Sequence, residues 1–129
     1  MATVGQLMTK NLSTIQEEAT VHEAARSMHQ QRIGSLLVRR QNEYAGIITE
    51  TDIVKGVAEE RDMRQLIVQE LMSSPIISID QKLSPQYARD LMADRHIRHL
   101  VVTEEKSIVG IISARDLLAY FKTVTQHVE

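Results

Sequence analysis

The sequence contains no cysteine and no tryptophan, one phenylalanine and three tyrosines. Without cysteine, the chain cannot form disulfides, thiolate nucleophiles or Cys-based zinc sites. Because aromatic residues are so few, the apolar residues available for a core are Ile, Val, Leu, Met and Ala. Aliphatic layers of this kind are typical of helices packed on a sheet.

A strong charge of one sign and a long apolar run are also missing. The formal net charge is −2, so no basic field attracts nucleic acid or an anionic membrane. Apolar stretches such as 35–38 and 109–112 are too short to span a bilayer. Residues 1–6 lack the basic and apolar regions of a signal peptide. We therefore expect a cytoplasmic protein that does not bind a membrane.

An internal duplication organises the chain. When the sequence is shifted by 64 positions, residues 4–56 align with residues 68–120 without a gap. The pattern predicts a first repeat over 1–64 and a second over 65–129. Identical pairs include Leu7/Leu71, Met8/Met72, Ala24/Ala88, Met28/Met92, Ile33/Ile97, Leu36/Leu100, Gly46/Gly110 and Asp52/Asp116.

Both copies predict the same order of elements. A short helical turn precedes a brief strand, a helix that Thr20 or Ser84 caps, two strands joined by a polar turn, and a closing helix. The expected fold class is α+β, with two tandem β-α-β-β-α repeats packed about a pseudo-twofold axis. Each repeat is too small to bury both faces of its sheet, so neither is expected to fold alone.

The best repeated stretch is Gly46–Asp52, which matches Gly110–Asp116. Each stretch is a strand that leads into a helix, with a hydroxyl at the strand's end and a carboxylate three residues later. The free N–H groups of a helix start attract phosphate, and an ionised carboxylate accepts from the two hydroxyls of a ribose. The same residues also serve as ordinary helix caps, so both interpretations stay open at this point.

This pattern resembles the cystathionine-β-synthase-type (CBS) domain, whose tandem pair is called a Bateman module. The resemblance covers nearly the whole chain, and the segments that carry it occur in the same order in both copies. They are 7–9, 33–38 and 46–52 in the first copy, and 71–73, 96–102 and 110–116 in the second.

The resemblance implies two clefts, each combining the Ser/Thr-x-x-Asp of one copy with the strand edges of the other. Ile15 and Ile79 would flank adenine, and Asp52 and Asp116 would hold ribose. Hydroxyl and basic residues would face phosphate, where Glu50 disfavours ATP. One predicted cleft comprises Thr49, Asp52, Ser78, Ile79, Arg98 and His99; the other comprises Ser113, Arg115, Asp116, Thr14, Ile15, Gly34 and Ser35.

The resemblance implies a regulatory module whose ligand is AMP, ADP, ATP, S-adenosylmethionine or NAD. We expect no required cofactor. We expect no metal site, because His96 and His99 lie at a helix-to-strand junction without matching carboxylates nearby, and His22 and His29 lie two turns apart on one helix face and could not share one ion. We expect no catalytic residue, because neither a nucleophile–base pair nor a phosphate loop is present. A homodimer and a regulated partner protein are expected. Three alternatives stay open: a purely structural dimerisation module with empty clefts, a small enzyme, and a nucleic-acid binder acting through Arg95–His99.

Overall fold

The structure is a computed structural model that describes residues 1–128, with side chains described to residue 125. The predicted β-α-β-β-α order is present twice, which confirms the α+β class. A short helix precedes each copy. The elements are α1 (Val4–Leu7), β1 (Thr14–Gln16), α2 (Val21–Gln31), β2 (Ser35–Arg40), β3 (Glu43–Thr49), α3 (Glu50–Ala58), α4 (Val68–Leu71), β4 (Ser78–Asp80), α5 (Pro85–Arg95), β5 (His99–Glu104), β6 (Ser107–Ser113) and α6 (Ala114–Val128).

Each copy forms a three-stranded sheet of mixed direction. β1 pairs in parallel with β2, and β2 pairs with β3 as an antiparallel hairpin; β4, β5 and β6 repeat this arrangement. The hairpin turns contain residues with left-handed backbone, Gln41 in the first and Glu105 and Lys106 in the second. Left-handed residues match the twist that a tight hairpin connection needs.

The central helices begin where the sequence predicts. The Thr20 hydroxyl accepts from the Glu23 N–H, and the Ser84 hydroxyl accepts from the Tyr87 N–H, each at 3.1 Å. These caps satisfy an N–H group that has no partner inside the helix. Both helices end at a left-handed residue, Arg32 or His96. Each central helix therefore has a defined start and a defined end, and its end determines where the next strand, β2 or β5, begins.

The chain forms two compact units whose boundaries cross the sequence repeats. The first unit is Ser13–Ile76, and the second consists of Met1–Leu12 with the chain from Ile77 onward. Each short helix therefore packs with the sheet of the other sequence copy, so that α4 belongs to the first unit and α1 to the second. Both units have an aliphatic core. The first core contains Val21, Ala24, Met28, Leu36, Val38, Ile48, Leu66 and Val68, and the second contains Val4, Ile79, Ala88, Met92, Leu100, Val102, Ile112 and Leu117.

Backbone hydrogen bonds hold the short helices in equivalent ways. The Val68 N–H donates to the Ala19 carbonyl at 2.8 Å in the first unit. In the second unit the Val4 N–H donates to the Leu83 carbonyl, also at 2.8 Å. Both valines are fully buried. Burial of a valine side chain stabilises by about 1.5–3 kcal/mol, so these segments are part of each core.

The residues after each short helix lie against the last strand of the sheet. Ser73 exchanges two backbone hydrogen bonds with Ile47, and Thr9 exchanges two with Ile111. A Cβ added at Gly46 would lie 2.7 Å from the Ser73 carbonyl oxygen, and one at Gly110 would lie 2.8 Å from the Thr9 carbonyl oxygen. The repeated glycines therefore leave room for a crossing backbone.

We predict that Gly46→Ala and Gly110→Ala each lower the free energy of unfolding by about 1–3 kcal/mol, because the added methyl group meets backbone that cannot move aside cheaply. Urea unfolding measures the loss. Gly56→Ala is the matched control, since its Cβ would meet the flexible end of Met63 and a helical alanine gains up to about 1 kcal/mol over glycine. Equal stabilities for all three variants would contradict this account.

We also predict that the fragment 13–76 is more ordered than the equally long fragment 1–64. The fragment 13–76 keeps the whole first unit, whereas 1–64 loses α4 and carries α1 without its sheet. Far-UV circular dichroism and urea unfolding of both fragments provide the measurement. If 1–64 unfolds at the higher urea concentration, the boundary between the units is wrong.

Candidate functional site

One end of the first unit's sheet gathers the predicted site residues of that copy. Ser35, where β2 begins, pairs with Thr49, where β3 ends. The Gly34 carbonyl accepts from the Glu50 N–H at 3.0 Å, which ties this edge to the start of α3. Thr14 lies on the neighbouring strand β1, where it pairs with Leu37, two residues after Ser35 in β2. Strand pairing brings Thr14, Ile15, Ser35 and Thr49 to one end of the sheet. The Glu50–Gly34 hydrogen bond and the start of α3 add Gly34 and Asp52 there.

Asp52 closes a reciprocal cap at the start of α3. Its Oδ2 accepts from the Thr49 N–H at 2.9 Å and from the Thr49 hydroxyl at 3.1 Å. The Asp52 N–H donates back to the Thr49 hydroxyl oxygen at 3.4 Å. The Ser73 hydroxyl lies 3.1 Å from Oδ1 and 3.3 Å from Oδ2. Both carboxylate oxygens of Asp52 thus have protein donors.

The second unit repeats this edge with different side chains. His99, where β5 begins, pairs with Ser113, where β6 ends, and the Ala114 N–H donates to the Arg98 carbonyl at 2.8 Å. Ser78 and Ile79 lie on the neighbouring strand β4. The edge therefore assembles Ser78, Ile79, Arg98, His99, Ser113, Arg115 and Asp116 in one unit.

Asp116 caps α6 in the same way, but its carboxylate accepts from fewer described donors than that of Asp52. Its Oδ2 accepts from the Ser113 N–H at 2.8 Å and from the Ser113 hydroxyl at 3.0 Å. Among the residues whose side chains the structure describes, no donor reaches Oδ1. An ionised carboxylate offers about four lone-pair positions, so Asp116 keeps acceptor capacity on its second oxygen.

The predicted adenine neighbours differ in their burial. Ile79 is 3% exposed and packs in the core of the second unit, whereas Ile15 is half-buried at the margin of the first core. The Ile79 side chain therefore stabilises its own unit in this structure. Of the remaining edge residues, Ser35 is buried, while Thr14 and Ser78 are exposed.

The two edges carry different charge. The second unit has Arg98 and Arg115 where the first has Gly34 and Thr51, and it has Ala114 where the first has Glu50. Both arginine side chains are exposed, and no acidic side chain lies within 4.0 Å of either one in the part of the chain that the structure describes. The second unit's edge is therefore the more attractive one for an anion.

Each predicted cleft draws residues from both units. The structure shows the two edges separately, with Thr49 and Asp52 in the first unit and Arg98 and His99 in the second. What it brings together is each Ser/Thr-x-x-Asp sequence with the strand edge of its own copy. The combination of one unit's carboxylate with the other unit's edge stays a prediction.

Ser73 is the site residue that sequence reasoning missed. The repeated Leu-Met-Ser/Thr at 71–73 and 7–9 is visible in the sequence, but only as part of a family pattern. Its separation from Asp52 along the chain gives no sign that the two side chains meet. The repeated glycine at positions 46 and 110 is the one sequence feature that points to this contact, because Gly46 leaves space for the backbone that carries Ser73.

His96 with His99, and His22 with His29, do not form part of a larger cluster of metal ligands among the residues whose side chains the structure describes. Within residues 1–125, whose side chains the structure describes, no group of three or more His, Asp or Glu side chains is arranged to hold a metal ion. Over the same residues, no helix combines the length and the apolar character needed to cross a bilayer.

The duplicated pattern matches a known family. The profile of the CBS domain matches residues 4–59 and again residues 68–123. This chain belongs to the CBS domain family. The two matched segments start at α1 and α4, so each includes the short helix that packs in the other copy's unit. In this chain, each sequence repeat therefore contributes its N-terminal short helix to the compact unit of the other repeat.

Similar proteins extend this assignment. The chain is 34% identical over 118 residues to the CBS domain-containing protein YhcV of Bacillus subtilis, covering 91% of this chain and 84% of that protein. A candidate signal-transduction protein with CBS domains from Burkholderia ambifaria superposes with a TM-score of 0.89 at 28% identity, covering 93% of each chain. A hexameric CBS-CP12 protein from bloom-forming cyanobacteria superposes with a TM-score of 0.84 at 35% identity, covering 92% of this chain and 70% of that one.

Proposed function

We propose that this CBS domain pair binds an adenosine-containing nucleotide as a regulatory ligand. The observation that carries the proposal is the repeated hydroxyl–carboxylate pair at the start of α3 and α6. In both units it lies at the end of a sheet beside exposed polar side chains. No cofactor is required by this proposal, and the nucleotide is the signal.

The ribose diol is the part of the ligand that the carboxylates suit. A vicinal diol presents two O–H donors, and an ionised carboxylate is an acceptor without donors. Among the residues with described side chains, no donor reaches Asp116 Oδ1, while Oδ2 is held in place by the cap. A carboxylate whose position the fold already fixes loses little rotamer entropy on binding, which favours affinity.

The phosphate is the part that the second unit's edge suits. Arg98 and Arg115 lie beside the start of α6, where the Ala114 and Asp116 N–H groups already donate to the Arg98 carbonyl and the Ser113 hydroxyl. Guanidinium groups form strong charge-assisted hydrogen bonds with phosphate oxygens. Glu50 at the start of α3 has the opposite charge and disfavours a long polyphosphate there.

AMP, ADP, ATP, S-adenosylmethionine and NAD all carry the adenosine that this chemistry selects. We propose regulation by such a ligand and not catalysis. The three similar proteins described above are named for CBS domains, for signal transduction or for their assembly.

We predict that at least one of these five compounds stabilises the protein. At one hundred times its dissociation constant, a single bound ligand adds about 2.7 kcal/mol to the free energy of unfolding, which raises the melting temperature by roughly 5–15 °C.

Asp116→Ala and Asp52→Ala should each lose one binding site in isothermal titration, because removal of a carboxylate that accepts two hydroxyls costs about 2–4 kcal/mol of binding.

The ligand-free melting temperature of the same two variants is the control. Loss of a cap alone lowers the stability by about 1 kcal/mol and leaves binding unchanged. Wild-type affinity and stoichiometry in both variants, with only reduced stability, would mean that the aspartates are caps and do not hold ribose. If none of the five compounds moves the melting curve at millimolar concentration, the binding proposal fails.

A second candidate function, structural self-association, is favoured by exposed apolar residues on the closing helices. Val54 and Val57 on α3 are 66% and 60% exposed, and Leu118 on α6 is 71% exposed. Val54 and Leu118 occupy equivalent positions in the two copies. Because burying such side chains stabilises by about 1.5–3 kcal/mol each, these faces suit a homodimer through helices.

We predict that Leu118→Lys and Val54→Lys lower the mass of the assembled protein in size-exclusion chromatography with light scattering, because a charge in an apolar interface stays unpaired. Leu83→Lys, at a position 37% exposed outside these helices, is the control. A wild-type chain that is monomeric throughout the micromolar range would rule out the second candidate, and equal masses for all variants would place the interface elsewhere.

A further inference from the structure

The two equivalent carboxylates differ in how completely the protein uses them. Ser73 donates its hydroxyl to the Asp52 carboxylate, whose Oδ2 is already held by Thr49. Asp116 has the same hold from Ser113 but has no third donor among the residues with described side chains. One ribose-type acceptor is thus occupied within the chain, and the other is open.

The difference originates in the segments that follow α4 and α1. Ser73 and Thr9 occupy equivalent positions, and each exchanges two backbone hydrogen bonds with the last strand of its unit. Both residues carry a hydroxyl and both are exposed. In the described chain the Ser73 hydroxyl reaches its aspartate, whereas the Thr9 hydroxyl forms no hydrogen bond with Asp116. Backbone position is therefore equivalent, and the side-chain contact is specific to the first unit.

We propose that Ser73 is a specificity-determining residue that competes with the ligand for Asp52, so that the Asp116 half-site binds a ribose diol first and more tightly. This inference rests on the proposed function and ranks its two half-sites. A half-site is the hydroxyl–carboxylate pair at one helix start, Thr49 with Asp52 or Ser113 with Asp116. A diol that approaches Asp52 must displace the Ser73 hydroxyl, whereas a diol at Asp116 meets an open oxygen. Binding is then stepwise as the ligand concentration rises.

The charges at the two helix starts also differ. Glu50 lies two residues before Asp52, at the position that Ala114 has before Asp116. An exposed carboxylate there repels an anionic ligand, while Arg115 beside Asp116 attracts one. The hydroxyl contact and the charge difference at the helix starts are separate features. Arg98, which the predicted cleft places with Asp52, offsets Glu50, so the ranking rests on the hydroxyl contact.

The binding test isolates the weaker half-site by titrating AMP, ADP, ATP, S-adenosylmethionine and NAD into the full chain carrying Asp116→Ala. Adding Ser73→Ala should raise the affinity about threefold to tenfold, because the ligand no longer displaces a hydroxyl that is hydrogen-bonded to a charged group. Ser73→Thr, which keeps the hydroxyl, should restore the lower affinity. Thr9→Ala in an Asp52→Ala chain is the matched control and should leave the affinity unchanged.

The outcomes separate this proposal from the proposed function. Binding by the wild type with no gain from Ser73→Ala, or an equal gain from Thr9→Ala, overturns the ranking and leaves nucleotide binding intact. A loss of affinity in Ser73→Ala also overturns it, since Ser73 would then assist the ligand. No binding of any of the five compounds by any variant overturns both.

A ligand-free measurement tests the contact itself. A double-mutant cycle of Ser73→Ala and Asp52→Ala in urea unfolding should show a coupling between the two side chains, and the cycle of Thr9→Ala and Asp116→Ala should show none. Couplings of equal size in both cycles, or no coupling in the first, would overturn the proposal whatever the ligand.

Discussion

The close approach of a crossing backbone to the last strand of each sheet is the constraint on which the rest of this structure depends. Gly46 and Gly110 lack a side chain where that backbone passes, and a methyl group at either position would meet a carbonyl oxygen. The contact joins α4 to the first unit and α1 to the second, so each core receives a buried valine from outside its own sequence copy. Neither sequence copy is therefore a complete compact unit.

The same approach connects the fold to the candidate site. The segment that passes Gly46 also carries Ser73, whose hydroxyl reaches the Asp52 carboxylate. Asp52 and Asp116 stabilise helix starts, and in the proposed function they also accept from the hydroxyls of a ribose, so stability and binding would depend on the same atoms. A substitution at either aspartate would then change both properties, and separate measurements of unfolding and binding distinguish them.

Much of the fold could be predicted because the chain repeats itself. Each pattern that was ambiguous in one copy occurs again 64 residues later, so the order of elements, the caps at Thr20 and Ser84 and the class were all predictable. The exact strand ends, such as Gln16 in β1 and His99 in β5, are set by the tertiary structure. Strand ends depend on cross-strand pairing, which single-sequence periodicity does not contain.

The sequence by itself determined the duplication, the helix and strand order, and the pairing of a hydroxyl with a carboxylate at each closing helix, because these depend on contacts within a few residues. Strand register then places Gly34 beside Glu50 and Arg98 beside Ala114. Only the tertiary structure decided which copy each short helix joins, and that the Ser73 hydroxyl reaches Asp52 whereas, among the residues with described side chains, no donor reaches Oδ1 of Asp116. Those facts depend on contacts between residues far apart in the chain, whose geometry no local pattern encodes.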